Sequence, residues 1–339
     1  MLSVCPPAPG VLASRLLGNS RSAAAAALVH LLLVLVCFLI ATRAPLAGAA
    51  REVDLLVAPD LAPSGGDVNL TQLHEWPSTG DGTPAIDQAY GSIDGSMVWG
   101  HDWNLIASLG FYDLWVAPAP SAGADASRMR LGYDELELYP RHLSASGTML
   151  GCDLDLQYAH GAGGFSYQRC DGSVVLFAHP QAQAASSWLF ELIGSTQREL
   201  HLPVVFPGVA YCRIEPHLSW SLGFPFSYLN WQPRPDWAIT GQIADNSMLS
   251  IVYGAGLLRP GLFYSWDTTP LRVPQPGGRG PALSFEEMAL SAQLTVVAGR
   301  YGSLVVGAGR AMRRILHEQN QTIGLGSAWQ STLSGELDF

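Results

Sequence analysis

Residues 329–339 read WQSTLSGELDF. Every second residue back from Phe339 (Leu337, Gly335, Leu333, Ser331, Trp329) is apolar or small, and those between (Asp338, Glu336, Ser334, Thr332, Gln330) are all polar. That is the period of a β-strand with one dry and one wet face. Chain ends normally fray, so a strand carried through to the last residue implies a partner that holds it. A closed barrel supplies one, because its last strand pairs with its first. The alternation continues backward through Ser327, Leu325 and Ile323. That is too long for one bilayer crossing and predicts a break near residue 328.

The same period dominates from Met97 onward. In 148–158, Leu150, Cys152, Leu154, Leu156 and Tyr158 oppose Gly151, Asp153, Asp155 and Gln157. In 211–220, Cys212, Ile214, Leu218 and Trp220 oppose Tyr211, Arg213, Glu215, His217 and Ser219. Residues 236–243 and 287–296 repeat the pattern, and SFEEMALSAQL suits a strand at least as well as a helix. Between 128 and 139 the apolar register changes from Met129, Leu131 and Tyr133 to Leu136 and Leu138, which predicts a bulge. Asp171-Gly172 between two apolar runs predicts a two-residue hairpin that pairs Phe165, Tyr167 and Arg169 with Ala178, Leu176 and Val174. The reading is all-β, an antiparallel barrel of about 12 strands.

Residues 1–50 are a different polymer. Arg15 and Arg21 precede an apolar run at 23–41, then Ala47-Gly48-Ala49, the three parts of a secretory signal peptide cleaved after Ala49. The run is long enough for an uncleaved anchor, the rival reading. Residues 50–95, rich in Pro, Gly, Ser and Asp, read as a flexible segment, with the barrel over 96–339. All 18 basic residues are arginine and the formal charge is −10. Beyond residue 50, 15 arginines face 28 carboxylates, a balance of −13, which excludes nucleic acid as a partner. Cys152, Cys170 and Cys212 show no metal-binding spacing and permit at most one disulfide. No cofactor or metal is expected.

Alternation alone does not say which face meets solvent. A soluble sandwich turns its apolar side inward, whereas an outer-membrane barrel turns it to lipid. Strand lengths near those of a tilted crossing favour the membrane. So do aromatics near strand ends, among them Trp220, Tyr228, Trp231, Trp237, Tyr264, Trp266 and Trp329. The final strand resembles the C-terminal strand of Gram-negative outer-membrane barrels. The resemblance implies that Phe339, Leu337, Leu333 and Trp329 form the signal read by the barrel-assembly machinery. A second stretch, LGFPFSYLNWQPRPDWAITGQIADNSMLSIVYGAGLLRPGLFYSW (222–266), is similar to a family of uncharacterised bacterial barrel proteins, with W-x-P-x-x-x-W at 231–237. That similarity extends over about 210–339 and implies fold and location, with no catalytic residue.

The functional expectation is a passive pore or structural barrel in outer-membrane lipid, passing a small solute. Its lining candidates are Glu135, Glu137, Asp153, Asp155, Glu191, Arg213, Glu215 and His217. The last three would pair in the lumen with carboxylates opposite. Carboxylates on the polar faces would favour cations. Two alternatives come from other classes. One is a lipid-modifying hydrolase in which His142 activates Ser144, although no acid to orient the His is evident. The other is a soluble periplasmic sandwich that binds a ligand.

Overall fold

A strand with one apolar and one polar face must find an environment for each. The computed structural model of the protein describes residues 65–77, 85–116, 129–160, 170–196, 205–244, 246–272, 282–318 and 321–338. Seventeen strand segments follow one another. The first nine are β1 (Gly65–Pro77), β2 (Ile86–Trp99), β3 (Trp103–Val116), β4 (Met129–Leu143), β5 (Met149–Ala159), β6 (Cys170–His179), β7 (Ser186–Ser195), β8 (Val205–Glu215) and β9 (Leu218–Phe224). The remainder are β10 (Ser227–Arg234), β11 (Trp237–Ile243), β12 (Ser247–Tyr253), β13 (Leu258–Arg272), β14 (Ala282–Val297), β15 (Gly302–Glu318), β16 (Gln321–Gly324) and β17 (Ala328–Asp338).

Each strand from β2 to β16 pairs antiparallel with the one before it in sequence. β1 closes the wall by pairing with β2 on one side and with β17 on the other, from Asp67 opposite Asp338 to Pro77 opposite Ala328. Such a wall has no free edge. β16 and β17 both pair with β15, one beyond the other. They are two parts of one stave interrupted at 325–327, close to the expected break, so the barrel has sixteen staves and not about 12.

Gly65 and Asp338 stand at the same end. Connections there are brief (100–102, 144–148, 180–185, 216–217, 235–236, 254–257, 298–301), and most at the other end are longer (78–85, 117–128, 160–169, 196–204, 273–281). These are the turn end and the loop end. The outer face is apolar: Leu222, Phe224, Leu333 and Leu337 are 67, 57, 52 and 64% exposed. The inner face buries Asp67, Thr71, Glu75, Asn104 and Arg141. Exposed apolar and buried polar side chains invert the soluble pattern and match a membrane barrel. Aromatics girdle the turn end, where Trp99 stacks on Trp103 at 5.9 Å and Trp237 lies 5.2 Å from Tyr253. Trp76, Trp266 and Trp329 stand toward the loop end. Tyr228, expected in a girdle, points inward and is buried.

Wall height is uneven. β9 to β12 have seven or eight residues, whereas β1 to β4 and β13 to β15 have 13 to 17. β4 and β13, far apart in the sheet order, approach within 8 Å Cα to Cα. The eight staves from β13 round through β1 to β4 thus form a lobe of their own. Eight strands enclose a space about wide enough for side chains to fill. Ile86, Leu114, Leu131, Leu271, Leu283 and Phe285 fill it, none more than 4% exposed.

Several sequence expectations are corrected. Residues 50–95 are not a linker throughout, because β1 and most of β2 lie within them. The Gly and Asp that read as breakers are strand positions in a polar-lined wall. No bulge interrupts β4, which stays in register with β3 from Trp103 opposite His142 to Val116 opposite Met129. Leu131 and Tyr133 point inward because the lobe has an apolar filling. Asp171 and Gly172 form no hairpin turn; they lie inside β6, opposite Gln157 and Leu156. SFEEMALSAQL lies in β14. The cysteines at 152, 170 and 212 are free. The leader (1–49), Phe339, and the hairpin partners Phe165, Tyr167 and Arg169 lie outside the described residues.

Candidate functional site

The polar interior is the candidate site, and its first property is carboxylate set against carboxylate. At the turn end Asp67 stands between Asp94 on β2 and Asp338 on β17. Farther in, Glu137 lies opposite Asp155, and Asp267 opposite Glu287. Carboxylate oxygens of Glu135, Glu137 and Asp155 lie within 4.8 Å of one another, and Gln157 Nε2 donates to Glu135 at 2.6 Å. Directly opposed like charges destabilise a sheet. Two of them roughly 5 Å apart repel by about 3 kcal/mol at an effective dielectric constant near 20.

Inside the tall lobe the polar groups instead bind each other. Arg314 Nη1 donates to Glu75 Oε2 at 2.5 Å. Gln88 Nε2 donates to Glu287 Oε2 at 3.2 Å, and Tyr112 Oη donates to Gln88 Oε1 at 3.0 Å. Arg314 and Glu75 have no exposed side-chain surface. Together with the apolar filling this network occupies the loop end of the lobe.

The opposite half of the wall differs. A second apolar cluster lines β5 to β8 and β10, with Met149, Phe177, Leu189, Cys212 and Phe226 all buried. Beside it, inward-facing Asn230, Thr240, Gln242 and Ser250 keep partial solvent exposure. Accessible interior surface therefore lies along the low staves and, at the turn end of the tall ones, at Asp94, Ser334 and Glu336.

The expected lining residues divide into two groups. Glu135, Glu137, Asp153, Asp155 and Glu191 all face inward, on β4, β5 and β7. Glu191 lies opposite Gly208, where a Cβ would stand 2.7 Å from its Oε2, so only glycine leaves room for the carboxylate. Arg213, Glu215 and His217 do not line the lumen. Arg213 and Glu215 share the outer face with Tyr211 and Trp220 and pair with each other, Arg213 Nε to Glu215 Oε1 at 2.7 Å, while His217 is exposed in the next turn. The strand leaves the bilayer there, so its outer face turns polar. Trp329, Leu333 and Leu337 all face outward.

His142 does have an acid beside it: Asp102 Oδ2 lies 3.1 Å from its Nε2, and Trp103 packs on the ring at 4.8 Å. Ser144 Oγ is turned to Ser146 and the Thr148 N–H, within the turn. The pair is thus part of the turn-end rim. Sequence reading missed Asp67, Glu75, Gln88, Tyr112 and Arg314, most of which lie in the stretch taken as a linker or in the polar tip of β15. Glu287, on the polar face of an alternating run, was there to be found.

No protein family and no curated protein matches the chain. Its structure is similar to those of outer-membrane channels. An outer membrane channel from Pseudomonas putida is 11% identical, with 86% of this chain and 100% of that chain covered and a TM-score of 0.38. Pseudomonas aeruginosa OccK7 (OpdD) is 11% identical, with 81 and 99% covered and a TM-score of 0.41. Salmonella typhi OmpF, in complex with daunomycin, is 12% identical, with 82 and 98% covered and a TM-score of 0.32. At such scores the barrel rests on its own strand pairing, and its role on its own residues.

Proposed function

We infer that the protein is a passive pore of the bacterial outer membrane that favours small cations. The observation that carries this reading is the opposition of Asp67 to both Asp94 and Asp338, repeated at Glu137 and Asp155. A cation entering such a row relieves the repulsion, and an anion adds to it. The loop end of the tall lobe is filled by its own side chains, so there the solute route runs along the low staves, past Asn230, Thr240 and Gln242, before it reaches Asp67, Asp94 and Asp338 at the turn end. The apolar outer band is matched to lipid. The outward row Trp329, Leu333 and Leu337, with Phe339 beyond it, is what barrel-assembly machinery would read.

Purified protein added to a planar lipid bilayer should produce discrete conductance steps. Steady absence of steps, from protein that shows the gel shift on boiling expected of a folded barrel, contradicts the pore. Recovery of the protein from the soluble periplasm contradicts the membrane location.

A further inference from the structure

The outer wall carries an arginine pair that the pore does not use. Near the loop end the β14–β15 register slips between Met288 and Ala289, leaving Met312 as an extra residue on β15. Bulges re-aim side chains, and this one puts Arg310, Met312 and Arg313 all on the outside, while Ala311 and Arg314 are buried. Arg310 is in line with Trp329 and Trp76 across the seam. Its guanidinium carbon is 5.9 Å from the Trp329 ring and its Nη2 donates to Ser327 Oγ at 3.2 Å. Among the described residues no carboxylate pairs with it. Arg313 Nε is 3.3 Å from Glu286 Oε1, yet half its side chain is exposed. Glu286 is also bonded to Trp266 Nε1 and His317 Nε2, both at 3.1 Å.

The two exposed arginines therefore have a single carboxylate between them, bound to Arg313 alone, in a chain whose formal charge is −10. An arginine facing lipid costs about 2–4 kcal/mol at the bilayer midplane and almost nothing at the interface. The neighbouring Trp76, Trp266 and Trp329, each about half exposed, mark this level as the interface. Phosphates of lipid headgroups lie at that depth, and a guanidinium fork matches their oxygens two at a time.

We propose that Arg310 and Arg313, with the Ser327 hydroxyl, bind the phosphate of an anionic lipid in the loop-end leaflet. The site rests on the barrel residing in a membrane and is independent of whether it conducts.

The test is native mass spectrometry of the purified full-length barrel in detergent, with phosphatidylglycerol, phosphatidylcholine or inorganic phosphate added. Phosphatidylglycerol should be retained well above phosphatidylcholine. R310Q should lower its retention about tenfold, the loss of one charge-assisted hydrogen bond, and R310K should restore part of it. R234Q, which removes an exposed arginine at the turn end, should leave retention unchanged, and all variants should keep the gel shift on boiling. Equal retention of the two lipids overturns the proposal, as does a wild-type level in R310Q or an equal loss in R234Q. Displacement of the lipid by millimolar inorganic phosphate would make this a free-anion site and overturns it too.

Discussion

Arg314 and Glu75 are 239 positions apart in the chain, yet they form a fully buried ion pair inside the barrel. Arg314 also donates to the carbonyls of Leu325 (2.6 Å) and Gly326 (3.1 Å), where the final stave is interrupted. One guanidinium thus ties β15, the first strand and the break in the last stave together across the seam.

Removing one member of a buried pair strands the other charge, at a cost of about 3–5 kcal/mol. R314M leaves Glu75 near Glu287 with that cation gone, and should lower the temperature at which the folded gel band is lost. E75Q combined with R314M should recover part of the loss. Wild-type behaviour of R314M would show that the pair does not hold the seam.

The filled lobe and the accessible half predict opposite mutant phenotypes. N230W or T240W, on the low staves, should reduce single-channel conductance with little change in stability. L131A, inside the lobe, should cost about 2–5 kcal/mol of stability through its cavity and leave conductance unchanged. A fall in conductance with L131A alone would place the route in the wrong half.

His160, just beyond β5, donates from Nε2 to Asp134 Oδ1 at 2.9 Å, which stabilises its proton, with the charge of Asp113 in support. Its pKa is held above the ordinary 6.5. The contribution to stability is complete below that ordinary value and is lost as pH rises through the raised one. Wild-type protein should lose stability as pH rises from the ordinary histidine value through the raised one, by an increment that H160Q lacks. Arg130 pairs with Asp113 throughout this range. Identical profiles for the two proteins would remove His160 from the account.

How much of this was legible in the sequence follows from what each strand face meets. Where one face meets lipid and the other the lumen, as in β5 and β17, alternation assigned both faces correctly. In β1 the outer face carries Gln72 and His74 and the inner face Leu73, because the tall staves rise out of the bilayer and the lobe inside them is packed. In β2, Gly91 and Gly95 face outward and Ile86 inward. Period two persists in the backbone there, while polarity no longer follows it. Arg213 and Glu215 misled for the same reason: a charged row marks water on its face, and water lies on both sides of the wall at the rim. The Arg314–Glu75 pair joins two such strands, so no local pattern announced it.

The central claim is that carboxylates facing one another across the wall select cations. The most direct measurement is the reversal potential of single channels under a salt gradient, for wild type and for D67N/D338N. Wild type should reverse at a potential showing cation preference, and the double variant should move toward zero. Anion preference in wild type, or a reversal potential unchanged by the double substitution, would contradict it.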